Sequence, residues 1–130
     1  MINYLFILTL MTFLSCSKNE EPCPKEANNP PNDFELREIT DGATNVYLIP
    51  YFNWDDTTDP DGDDVTYDML IDECNPPSSI VAKNIPVTDF AIKDQLKYNT
   101  KYFWMVIARD SQGNSTNSDI FSFTTRTNNH

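Results

Sequence analysis

The chain has 130 residues, 39% hydrophobic and 12% aromatic, enough for one domain with a modest core and too few for two. Twenty acidic against nine basic side chains give a formal charge of −11, which repels nucleic acid and anionic lipid. The only histidine is His130 at the very end, and Gly occurs three times, so no Ser/His/Asp, Cys/His, metal-histidine or phosphate-loop arrangement can be assembled; neither an enzyme nor a cofactor is expected.

The first predicted element is an apolar run from Tyr4 to Leu14. It is shorter than the roughly 20 residues that span a bilayer and has the length of a signal-peptide hydrophobic region. It ends in "FLSC", where Ser15 precedes Cys16, and this ending resembles a bacterial lipobox. The resemblance implies that residues 1–15 are a lipoprotein signal peptide, and that Cys16 becomes the first mature residue, carries fatty acyl groups such as palmitate, and anchors the chain to a membrane of the cell envelope. "SKNEE" directly after the cysteine resembles, loosely, the Lys-plus-acidic signal that sends lipoproteins of some Gram-negative lineages to the surface, so an outer-membrane location is expected. An ordinary secretory signal with Cys16 incidental is the alternative.

Residues 16–32 are rich in Pro, Asn and Glu, and bury too little to offset their own ordering entropy. They read as a disordered tether. The globular part then spans 33–127. Period-2 stretches separated by turn residues predict short antiparallel strands there. "VYLIPYFNW" puts Val46, Leu48, Phe52 and Trp54 on one face; "VTYDMLID" does so with Val65, Tyr67, Met69 and Ile71, leaving Thr66, Asp68 and Asp72 toward water. "TKYFWMVIARD" places Tyr102, Trp104, Val106 and Ala108 inward, and "DIFSFTT" adds Phe121 and Phe123. About seven such segments, with turn clusters between them, predict an all-β, two-sheet sandwich.

The block "LKYNTKYFWMVIARDSQGNSTNSDIFSFTT" resembles the second half of a fibronectin type III domain, with Leu96, Thr100, Tyr102 and Ala108 at its characteristic steps; Trp54 and Tyr67 match the first half. The resemblance implies a seven-stranded immunoglobulin-like sandwich with Tyr102 as a tyrosine corner, its hydroxyl returning to backbone upstream. Trp54, Tyr67, Leu96, Tyr102 and Trp104 are then core residues. It implies adhesion, spacing and display roles for an unidentified protein partner. A glycan-binding accessory module is the alternative, suggested by the two tryptophans and the many tyrosines, since sugars stack on exposed aromatic faces.

Three further features bear on function. "DPDGDD" at residues 59–64 carries four carboxylates, and no basic residue lies between Arg37 and Lys83 to neutralise it. Asp59, Pro60, Asp61 and Gly62 fill a type I turn in its preferred order, and an EF-hand is excluded because Asp64 and Leu70 stand where its glycine and bidentate glutamate belong. A weak calcium site built from Asp59, Asp61 and Asp63, or from Asp55 and Asp56, is the competing reading. Cys23 and Cys74 form a candidate disulfide in an oxidising compartment, or remain two thiols. Phe103, Met105 and Ile107 alternate with the inward set, so they form a candidate interaction face unless a loop or the tether covers them.

Overall fold

The computed structural model describes residues 25–128, which contain strands and no helix. One sheet is antiparallel and three-stranded, β1 (Leu36–Glu38), β3 (Tyr51–Trp54) and β6 (Asp89–Ala91), in the order β1-β3-β6. The other holds β2 (Ala43–Val46), β4 (Thr66–Asp72), β5 (Ile80–Ile85), β7 (Lys101–Arg109), β8 (Ser115–Asn117) and β9 (Phe121–Thr125), in the order β2-β9-β7-β4-β5 with β8 also on β7.

The expected seven strands become nine segments because the first and last strands are each interrupted. Around Gly42 (φ +75°) the chain leaves the small sheet, and β2 joins the large one parallel to β9. Only glycine adopts that φ without a Cβ penalty. At the other interruption, Ser118 bonds Val106 twice: its amide donates to the Val106 carbonyl at 2.9 Å and its hydroxyl accepts the Val106 amide at 3.0 Å. The apolar face predicted along "VYLIPYFNW" is likewise divided. Val46 lies in the large sheet and Phe52 and Trp54 in the small one, with Leu48 buried in the crossing between them.

The core is aromatic and lies between the sheets. Phe52 of β3 meets Trp104 of β7 at 4.8 Å between ring centroids, Trp54 meets Tyr67 at 5.6 Å, and Tyr102 stacks on Phe123 at 5.7 Å. Each such pair contributes about 1 kcal/mol beyond the area it buries. Trp54, Tyr67, Tyr102 and Trp104 are buried, and Leu96 packs, partly buried, at the edge of the same cluster.

The outward face of the large sheet is less open than alternation predicts. Met105 is buried and only Phe103 and Ile107 remain half-buried, so the three do not form a continuous exposed stripe. Met105 pairs with Leu70, also buried, across two interior strands, where cross-strand side chains about 5 Å apart shield one another. Asp68, predicted to face water, is buried as well; Arg109 Nε donates to its Oδ2 at 2.7 Å and the Asn84 amide to its Oδ1 at 3.0 Å.

Strand directions sort the connections into two poles. Residues 55–65, 86–88 and 110–114 lie at the end where the described chain enters; residues 47–50, 73–79, 92–100 and the segment after Thr125 lie at the other. The nine residues of β7 set the poles about 30 Å apart.

Candidate functional site

At the entry pole the acidic sequence is a built turn. The Gly62 amide donates to the Asp59 carbonyl at 3.2 Å, while Asp59 Oδ1 accepts the amides of Asp61 at 2.8 Å and Asp63 at 3.4 Å. Gly62, the fourth residue of the turn, has φ +84°, a conformation that glycine adopts without a Cβ penalty. Asp59 is buried, and its second oxygen, Oδ2, has no hydrogen-bond partner. The other carboxylates bond outward to three different segments. Asp61 Oδ2 accepts the Asn29 amide at 2.6 Å, Asp63 Oδ1 accepts the Ser111 hydroxyl at 3.0 Å, and Asp56 Oδ1 accepts the Tyr67 hydroxyl at 2.9 Å. Among the described residues no three His, Cys, Asp or Glu side chains are grouped so as to hold a metal ion.

Tyr67 joins this pole to the core. Its hydroxyl also accepts the Thr57 amide at 3.0 Å, and its ring is buried between Phe34 and Trp54. Burial, reinforced by the Asp56 carboxylate and opposed by the Thr57 amide, pushes the phenol up to about 12. Asp55 is not left unneutralised, as its sequence neighbours suggest. β1 pairs with β3, and Arg37 grips Asp55 through Nε at 2.8 Å and Nη2 at 2.6 Å. The Arg37 side chain holds the Asp55 carboxyl below the usual range. That cation was missed because it comes from the paired strand.

Residues 28–32, assigned to the tether by composition, are bonded to this pole. Asn28 Nδ2 donates to Asp110 Oδ2 at 2.7 Å, the Asn32 amide to the Thr58 carbonyl at 3.0 Å, and the Thr57 hydroxyl to the Asn32 carbonyl at 2.7 Å. Thr116 donates its hydroxyl to the carbonyl of Pro31, which is buried. Asp110 in turn accepts the amides of Gln112 and Asn114 at 2.9 and 2.8 Å, fixing the neighbouring turn.

At the far pole Tyr102 makes the corner. Its hydroxyl accepts the Lys97 amide at 3.2 Å, and Thr125, buried beside it, donates to the Lys97 carbonyl at 2.6 Å while accepting the Thr100 amide at 2.9 Å. Asp72 is held down at about 2, first by the Ser79 hydroxyl and then by that of Ser78. Cys74, in the same connection, is exposed and unpaired; Cys16 and Cys23 lie outside the described residues. Both tryptophans are buried with unpartnered indole nitrogens, so neither offers a face to a sugar. Among the described residues the exposed aromatic side chains are Tyr47, Tyr51 and Tyr98.

A comparison with protein-family models finds no match, and neither does a comparison with curated proteins. Solved structures do match. A fibronectin type III domain of human fibronectin type III domain containing protein 3 is 19% identical with a TM-score of 0.60, over 78% of this chain and 92% of that one. A Fn3-like protein from Clostridium thermocellum is 20% identical with a TM-score of 0.54, over 78% of this chain and all of that one. The PKD domain of an M14-like peptidase from a Thermoplasmatales archaeon is 19% identical, with a TM-score of 0.52, over 77% and 99%. The fold is therefore a fibronectin type III-like sandwich.

Proposed function

We propose that the chain is a lipid-anchored protein of the cell envelope, in the outer membrane and exposed at its surface, which displays one non-catalytic fibronectin type III-like domain to a protein or glycan partner. The observation that carries this reading is the order of its parts. An apolar run, Cys16 and a polar acidic segment precede a domain that the chain enters at its aspartate-rich pole. An anchor at Cys16 then leaves the pole with Tyr47, Tyr51 and Tyr98 pointing away from the attachment. The buried core aromatics serve the scaffold and not the partner. Replacing Cys16→Ser tests the anchor: the variant is expected in the soluble fraction after cell breakage, and undiminished sedimentation with membranes contradicts it.

A further inference from the structure

The far pole carries a concavity of about 420 Å3 lined by Asn45, Tyr47, Tyr98, Arg126, Thr127 and Asn128. Its lining combines two tyrosines, two amides and a guanidinium with no carboxylate, in a chain whose formal charge is −11. Tyr47 is 71% exposed and Tyr98 is 39% exposed. The Arg126 guanidinium lies 5.2 Å from the centre of the Tyr47 ring and enters none of the salt bridges among the described residues.

The backbone beneath these side chains is tied together. The Arg126 amide donates to the Val46 carbonyl at 2.9 Å and the Asn99 amide to the Arg126 carbonyl at 3.0 Å, which joins the end of β2, the turn before β7 and the end of β9. Asn45, two residues before Tyr47, and Asn99, directly after Tyr98, have φ of +58° and +47°. Asparagine is among the few non-glycine residues that enter this left-handed region readily. The cross-links hold the three segments that carry the two rings and the cation in fixed relation.

An exposed tyrosine face takes the C–H face of a sugar ring, amides meet hydroxyls, and a guanidinium fork grips a carboxylate with two parallel bonds. We propose that this concavity binds a carbohydrate bearing a carboxylate, a uronic acid unit, with the sugar ring on Tyr98 and its carboxylate on Arg126, which Tyr47 holds in place. The aspartates of the entry pole do not oppose this at physiological salt. They lie about 30 Å away, several times the Debye length of about 8 Å. The assignment deepens the display reading by naming the ligand class, and rests on it only for the direction in which the pole faces.

The test uses the full mature protein purified in detergent, so its outcome does not depend on where the chain fractionates. Trigalacturonate and a glucuronic acid-substituted xylo-oligosaccharide are titrated by calorimetry beside their neutral counterparts, the methyl ester and the unsubstituted oligosaccharide. Saturable binding of at least one acidic sugar is expected, weakened about tenfold or more in its neutral counterpart and in Arg126→Met. Tyr98→Ala is expected to weaken it as well, and Tyr51→Ala, outside the concavity, to leave it unchanged. Arg126→Met keeps both backbone bonds, and an unaltered melting temperature checks its fold. Absence of binding to both acidic sugars, binding indifferent to Arg126→Met, or equal Arg126-dependent binding of a short Asp/Glu peptide overturns the proposal.

Discussion

Tyr67 illustrates how one side chain serves both packing and polar closure. Its phenol is raised to about 12, above the roughly 10 of an unfolded tyrosine. A raised folded value means stability that is complete below pH 10 and lost as pH rises through 12. Titration at 295 nm should therefore find a phase near pH 12 that belongs to Tyr67, and Tyr67→Phe should remove that late phase and flatten the fall in stability over this range. A variant that retains the late phase contradicts the assignment. Trp54 and Tyr102 are scaffold residues by the same reasoning. Truncation of either to Ala should cost about 3–5 kcal/mol in denaturant unfolding, because a large cavity opens in a core of this size. Near-native midpoints contradict it.

Among the elements, the segment Asn28–Asn32 behaves as part of the domain. It makes hydrogen bonds to Thr57, Thr58, Asp61, Asp110 and Thr116. At about 1 kcal/mol net per bond, removing residues through 32 should destabilise the domain by a few kcal/mol, whereas removing only those through 27 should not. Equal melting temperatures for the two truncations contradict this. The acidic loop next to it is held by turn and cross-segment bonds, so millimolar calcium should raise the melting temperature no more than magnesium at matched ionic strength. A calcium-selective rise of several degrees abolished by Asp61→Asn means that a site forms. The elements differ in how much of them the sequence discloses. The run from Tyr102 to Ala108 is legible because strict alternation leaves one face for the core. Met105 and Asp68 are not, because alternation reports which face a side chain takes and not whether neighbouring strands close over it. The Arg37–Asp55 pair depends on strand register, and Asn28–Asn32 on side-chain bonds that composition does not reveal. The far-pole concavity joins residues from three separate segments, so no local motif marks it.

At the scale of the molecule, the two poles set the reach of every connection. Asn28 is fixed beside Asp110, and the five steps back to Cys23 cover at most about 18 Å. Cys74 lies at the opposite pole, beyond the far end of β4, whose seven residues alone span about 23 Å. Both thiols are therefore expected free in the folded protein, and titration without reductant should count two. A Cys23–Cys74 peptide in a non-reducing digest contradicts this, and means that Asn28–Asn32 leaves its seat. The same polarity bears on the proposed display, in which the chain is held at Cys16 and presents the tyrosine pole outward. Intact-mass analysis of the protein extracted from membranes, after growth with an alkyne-bearing fatty acid, tests the anchor most directly. A mature chain that begins at Cys16 and carries the acyl label is the predicted result; a chain that begins elsewhere, or an unmodified Cys16 on membrane-bound protein, contradicts it.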